Sequence, residues 1–390
     1  MKINFIQKYY DFFQRTKNEK IIILEGGRRS GKTYSVLTHL GLSLFSKEKT
    51  KIQIFSEKPE QKSSGLLFDF EDIWETTFKK NSSKSEYYYK KNYLKFINIP
   101  NDIKAFDFAK NIGQADFRFI NEANTFAEPT FENLLISNKE QIILDLNPTK
   151  KSFVNRYITE NNYLHSTYKD NPFLTGNQIK TFEEWERVGR KAEIGSPAYW
   201  KWQVYCLGLF CEITGEIFTP ENIQFTKTPE KIDTYFIFCD PSNAKGGDYF
   251  AMVLIGVGDD KMFVVDSFSR NKVEKNVIIE AIRRWQLDYP VKMVFVETNG
   301  EIGANFYRLC LNSEISNVKP YYSKNNKYER IIANFDLLTK KVFFVDTEKN
   351  RDFAVQIYSF SEKCEHDDNI DVVNNALIVC HSFFKKIKII

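Results

Sequence analysis

The sequence predicts an α/β fold divided into two domains. Three observations carry this reading: a length of 390 residues where a domain takes about 100–200, short apolar runs alternating with helical patterns through the first half, and a fresh series of strand-like runs beyond position 230.

Ile21-Ile22-Ile23-Leu24 reads as a buried strand running into glycines, and 33–46 as a helix with Val36, Leu37, Leu40 and Leu44 on its apolar face. Lys51–Phe55 is the next strand. Phe117–Ile120 and Gln141–Leu146 are two more, each bounded by polar or turn residues. Strands separated by helices imply a parallel-rich sheet with both faces covered. Residues 160–222 are rich in turn formers and hold Trp185, Trp200 and Trp202; they read as a helical extension and connector, so the domains are expected at 1–222 and 223–390.

The second half opens with three consecutive strands, Tyr235–Cys239, Phe250–Val257 and Lys261–Ser267. A helix follows around 274–287, then the strand Lys292–Val296, a helix around 302–311 and a strand near Val318–Tyr322. Further helices are expected at 327–340 and 371–384. Three antiparallel strands followed by alternating helix and strand is the layout of an RNase H-like fold.

Composition narrows the class. With 42% apolar and 27% charged residues, the chain has the means to build cores and is not a disordered or low-complexity polymer. No run approaches the roughly 20 apolar residues of a membrane span, and the charged, aromatic start does not read as a signal peptide, so a soluble intracellular protein without membrane contact is expected. The six cysteines include no CxxC and all lie beyond position 205, which reads as reduced core thiols rather than a disulfide framework or zinc site. Net charge is +4, but residues 1–100 carry 19 basic against 11 acidic side chains. That surplus suits either a phosphate backbone or a solvated lysine-rich surface.

Gly26-Gly27-Arg28-Arg29-Ser30-Gly31-Lys32-Thr33 satisfies GxxxxGK[ST] between a strand and a helix. In such a loop, glycines let backbone N–H groups ring the phosphates, Lys32 reaches the β- and γ-phosphates, and the Thr33 hydroxyl joins the Mg²⁺ shell of bound ATP. Arg28 and Arg29 either act on the γ-phosphate or face solvent. A carboxylate to polarise water is expected at a neighbouring strand end, and Phe117-Arg118-Phe119-Ile120-Asn121-Glu122 supplies Glu122. The usual pattern has an acid at the Asn121 position; with an amide there, metal binding rests more on Thr33 and water. Asp145 and Asn147 end the next strand and suit a γ-phosphate sensor. Gln7, among Phe5, Tyr9 and Tyr10, could read adenine, although a plain amphipathic helix accounts for it as well.

Asp240 and Glu297 each terminate an otherwise apolar strand, where an unpaired charge is expensive. His366-Asp367-Asp368-Asn369-Ile370-Asp371 opens the last helix, with 368 and 371, or 367 and 371, on one face. Acids from two strands and one helix make a hard-oxygen cage suited to two Mg²⁺ or Mn²⁺ ions and to phosphodiester hydrolysis.

Together these motifs resemble the large terminase subunit of tailed bacteriophages. The resemblance extends to Leu146-Asn147-Pro148-Thr149, Tyr168-Lys169-Asp170-Asn171-Pro172-Phe173, Gly215-Glu216-Ile217-Phe218, and Lys327 with Arg330. It implies an ASCE-type ATPase joined to a nuclease that cuts concatemeric viral DNA. It also implies a homo-oligomeric ring of five subunits on the portal protein, a small terminase subunit as partner, and work in the cytoplasm of the infected bacterial host, docked on the procapsid. Two departures stand out: Asn121, and Val372 where the family more often has alanine. The last metal ligand therefore lies among Asp367, Asp368 and Asp371, with Asp371 and Asp368 favoured. The competing readings are a helicase or repair translocase, for which no DExH-type box is found, and a nucleotide-gated assembly component that does not cut.

Overall fold

The computed structural model describes residues 4–46, 48–57, 65–74, 77–99, 112–241, 249–271, 273–323, 326–361, 364 and 367–387; His366 of the acidic motif lies outside them. The chain divides into two compact units, Met1–Glu212 and Ile213–Ile390. Among the described residues no helix is long and apolar enough to cross a membrane. Cys206, Cys239, Cys310 and Cys380 are buried thiols.

The first unit is built on eight strands: β1 (Ile21–Gly26), β2 (Lys51–Ser56), β3 (Lys79–Asn81), β4 (Glu86–Tyr89), β5 (Asn92–Asn98), β6 (Ala115–Ile120), β7 (Asn138–Leu146) and β8 (Tyr163–Ser166). They lie in the order β3-β4-β5-β2-β6-β7-β1-β8. From β5 to β8 every pairing is parallel, and β3 and β4 close one edge antiparallel. The central strands read as apolar runs because both faces are covered. On one face the helix Lys32–Ser46 buries Val36, Leu37, Leu40 and Leu44 together with Ile22, Leu24, Ile54 and Ile143. The helix Gln7–Arg15 adds Tyr9, Phe12 and Phe13 to the same cluster, each aromatic contributing about 1.5–3 kcal/mol by its burial. The opposite face packs Ile23, Ile120, Ile142, Leu144 and Leu146 against the helix Glu128–Ile136 through Phe131 and Leu134.

The segment 79–98, for which the sequence reading named no element, forms the antiparallel β3-β4-β5 meander. One element differs from expectation: β8 joins β1 inside the region read as a helical extension. That region otherwise holds the helices Gly176–Gly189 and Pro197–Lys201 and the widened turn Trp202–Leu207.

The second unit carries β9 (Gln224–Thr226), β10 (Thr234–Asp240), β11 (Tyr249–Gly258), β12 (Lys261–Asn271), β13 (Val291–Glu297), β14 (Val318–Tyr321) and β15 (Val342–Val345), in the order β14-β13-β10-β11-β12-β15-β9. β10, β11 and β12 form the antiparallel meander, and β13 and β14 extend it in parallel beside β10. This is the RNase H-like arrangement, with β15 and β9 added beyond β12. The helix expected over 327–340 is instead two, Lys327–Ala333 and Phe335–Lys341, broken at Asn334, whose side-chain amide turns away to Asn374 Oδ1 at 2.8 Å. The final helix runs Asp368–Ile387 and buries Val372, Val373, Ala376, Leu377 and Cys380.

Candidate active sites

In the first unit, the Gly26–Thr33 loop leaves the end of β1 and enters the helix that starts at Lys32. Gly31 has φ 93°, in the left-handed region open to glycine. Gly208, at φ 68°, closes the far side of the loop: a Cβ there would stand 2.4 Å from the Gly27 nitrogen. Tyr9 Oη donates to Ser166 Oγ at 2.7 Å and reaches the Ser30 carbonyl at 3.1 Å, while Asn171 Nδ2 donates to the Arg29 carbonyl at 2.8 Å. The loop is thus held from the N-terminal helix, from β8 and from the turn after it.

Lys32 Nζ donates to the carbonyls of Gly26 and Gly27 at 3.0 and 2.9 Å and to Asn147 Oδ1 at 2.9 Å. Burial lowers its pKa to about 8 against the pull of Asp145, Glu122 and Glu25. A buried ammonium of this kind is poised for an anionic partner. Arg28 turns to the Tyr205 ring, its guanidinium carbon 3.8 Å from the centroid, while Gln7 donates to Asp11 on its own amphipathic helix.

β6 and β7 run in parallel with Ile120 beside Leu144, which brings Asn121 and Asp145 level one residue further on. Alternation along β7 puts Asp145 on the face of Ile143, under the helix that begins at Lys32. Asp145 Oδ2 accepts the Thr33 hydroxyl at 2.6 Å. Its Oδ1 accepts from Asn121 Nδ2 at 2.9 Å and from the Glu122 backbone N–H at 2.8 Å. Burial pushes the Asp145 carboxyl up, with the Thr33 hydroxyl and Lys32 opposing. Glu122 itself has φ 52°, a left-handed conformation that costs a non-glycine residue about 1–2 kcal/mol; the Asp145 acceptor holds it there. Asn147, read as part of a sensor, is a side-chain partner of Lys32, alongside Ser30 Oγ at 3.2 Å.

In the second unit, Asp240 ends β10 and Glu297 ends β13, neighbours in parallel with Cys239 beside Val296. Asp371, in the first turn of the last helix, completes a group with one carboxylate oxygen from each residue within 4.8 Å of the others. The Asp240 carboxyl is pushed well up by burial and by Glu297 and Asp371, and Glu297 is raised by burial and Asp371. Three hard oxygens that repel one another when bare fit an oxophilic divalent cation. Glu297 is fixed by the Ser323 hydroxyl on one oxygen and by Asn375 Nδ2 at 2.8 Å on the other.

Asp367 and Asp368 are not part of this group; they lie 2.5 and 3.4 Å from Lys327 Nζ, which also lies 3.5 Å from Asp371 Oδ2 and so joins them to it. Burial alone would lower the Lys327 pKa, but Asp371, Asp240, Asp367 and Asp368 together raise it above its ordinary value. Ser323, Asn375 and the pairing of Lys327 and Arg330 with the acidic motif escaped the reading of the residues. Their signal is long-range, since helix and acids lie about forty positions apart.

A strand-loop-helix phosphate cradle in one unit and a carboxylate cluster at adjoining strand ends of an RNase H-like sheet in the other define an ATPase–nuclease. Residues 18–208 match the family of phage terminase large subunits and residues 237–379 the terminase RNaseH-like domain, so the chain belongs to the large terminase subunits of bacteriophages and is an ATPase and an endonuclease. The large terminase of a thermophilic bacteriophage has a similar fold, with a TM-score of 0.71 at 15% identity over 96% of this chain and 99% of that one. The complex of that same phage enzyme with ADP gives 0.72 at 14% over 96% and 98%, and its complex with ATP-γ-S gives 0.71 at 15% over 95% and 97%. No curated protein sequence matches the chain significantly.

Proposed function

We propose that this chain is a subunit of a viral DNA-packaging motor in which ATP hydrolysis drives double-stranded DNA into a procapsid and a metal-dependent endonuclease cuts the concatemer. One observation carries the reading: a single chain holds both a braced GGRRSGKT loop and the Asp240/Glu297/Asp371 ring. In the first unit, the loop from Gly26 to Thr33 holds ATP, Lys32 neutralises phosphate charge, Thr33 faces the bound Mg²⁺ and Glu122 polarises the attacking water. Crystallisation of the thermophilic phage enzyme with ADP and ATP-γ-S supports the nucleotide class.

In the second unit, Asp240, Glu297 and Asp371 hold Mg²⁺ or Mn²⁺. A pair of such ions supplies an activated water and stabilises the leaving oxygen of a phosphodiester. Asp368 and Asp367 are the residues available to a second ion, once Lys327 yields them. DNA is held through its phosphates by basic side chains, without base readout. The motor works in the cytoplasm of the infected bacterium, as a ring of five copies docked on the portal protein, with specific initiation left to the small terminase subunit.

Supercoiled plasmid incubated with the protein and Mn²⁺, with and without ATP, tests this. Nicking with Mn²⁺ alone and DNA-stimulated ATP hydrolysis are expected. Cleavage that persists in EDTA would sink the metal mechanism, and absence of any hydrolysis would leave a nucleotide-gated component instead of a motor.

A further inference from the structure

The residue that stands where an acid is expected beside the phosphate loop is Asn121, and its side-chain amide is spent on a neighbour: Nδ2 lies 2.9 and 3.2 Å from the two oxygens of Asp145. An amide N–H₂ cannot accept the proton of the Thr33 hydroxyl. Asp145 does accept it, at 2.6 Å. A hydroxyl that gives its only proton to a carboxylate turns its lone pairs the other way, and for Thr33 those lone pairs are what a nucleotide-bound cation needs. The other Asp145 oxygen accepts the Glu122 backbone N–H at 2.8 Å, so one carboxylate touches the cation side and the water-polarising side of the site together. Asp145 is only 2% exposed, and a buried carboxylate with four hydrogen bonds from three residues is a fixed, aimed group.

We infer that the acid of the magnesium–nucleotide site has moved one strand over: Asp145 on β7 is the positioning carboxylate that orients Thr33 toward the divalent cation of bound ATP, and Asn121 on β6 clamps it. This rests on reading Gly26–Thr33 as the ATP site, and it gives Asp145 a role distinct from sensing the γ-phosphate. It makes positions 121 and 145 a complementary pair, one acid and one amide, in which the acid can in principle occupy either strand because the register sets both at one level.

The test is the affinity of the full chain for a fluorescent, non-hydrolysable ATP analogue, measured in Mg²⁺ and in EDTA. Asp145→Asn should lower the Mg²⁺-to-EDTA affinity ratio by about tenfold or more, while affinity in EDTA stays near wild type. The double variant Asn121→Asp with Asp145→Asn returns an acid to the pair and should recover the wild-type ratio. A purely structural Asp145 would instead weaken binding equally in Mg²⁺ and EDTA, and that result, or an unchanged ratio in Asp145→Asn, overturns the inference. If Asp145→Asn does not fold, the double variant decides alone: a retained ratio supports the inference and a lost one refutes it. Wild-type protein that binds no nucleotide in either condition would overturn the ATP-site reading, and this inference with it.

Discussion

Arg330 Nη2 lies 2.5 Å from Asp371 Oδ1, both side chains more than nine-tenths buried. Asp371 is thus a corner of the carboxylate ring and the partner of a buried guanidinium. Removing one member of such a pair leaves a buried charge uncompensated. Arg330→Ala should destabilise the protein by about 3–5 kcal/mol, read as a lower midpoint in urea unfolding, and Arg330→Lys should recover part of the loss. An unchanged midpoint for Arg330→Ala would show that Lys327, 3.5 Å from Asp371 Oδ2, suffices as its partner.

The phosphate loop predicts a separation of binding from turnover. Lys32→Ala should abolish ATP hydrolysis through loss of nucleotide affinity. Glu122→Gln should bind a fluorescent ATP analogue like wild type but hydrolyse ATP at least about a hundredfold more slowly. Wild-type turnover by Glu122→Gln would move the water-polarising role to another residue.

The lowered pKa of Lys32, about 8 against an ordinary 10.5, fixes the sign of a pH effect. Between those values the unfolded chain binds the proton that the folded chain has released, so this residue makes stability rise with pH across the window. Below 8 both states are protonated and the penalty of the buried charge is present in full. Triphosphate supplies an anionic partner and returns the pKa upward, so binding at about pH 8.5 should take up a proton. Calorimetry in two buffers of different ionisation enthalpy measures this. Proton release on binding would contradict it.

The carboxylate ring predicts the opposite proton flow. Asp240 and Glu297 hold their protons above the ordinary carboxylate range, and a cation must displace them. Mn²⁺ binding just above the ordinary carboxylate range should therefore release protons and strengthen as pH rises. Asp240→Ala, Glu297→Ala and Asp371→Ala should each abolish nicking while ATP hydrolysis continues, because the two sites draw on different strands. Loss of ATPase in Asp240→Ala would break that independence. Ca²⁺ should fail to support cleavage, since its looser shell places the water less well.

The local motifs were legible because their chemistry is written in short spacing: the loop needs eight consecutive residues, and Asp240 and Glu297 betray themselves as acids at the ends of apolar runs. The layout of the first three strands of the second unit was readable from alternating apolar runs for the same reason. What escaped depends on which strand neighbours which. Asn121 looked like a missing acid until the register of β6 against β7 brought Asp145 level with it. In the β3-β4-β5 edge only Lys79-Lys80-Asn81 lacks a strand signal of its own; Tyr87-Tyr88-Tyr89 and Tyr93-Leu94-Lys95-Phe96-Ile97 are strand-forming residues that the reading of the residues passed over. β15 is only four residues long and is defined by pairing with β12 and β9. The break at Asn334 depends on a contact forty residues away.

The hydroxyl of Tyr9 has a mechanical consequence. It ties the Ser30 carbonyl of the loop to Ser166 at the edge of the sheet, and burial pushes its pKa up to about 12, so it remains a proton donor at any physiological pH. A phenol is a rigid lever with few torsions to absorb displacement. The Tyr9 hydroxyl therefore joins the first helix, the edge strand and the loop at one point. In an ATPase, this rivet sets how firmly the phosphate loop is held to the edge of its sheet.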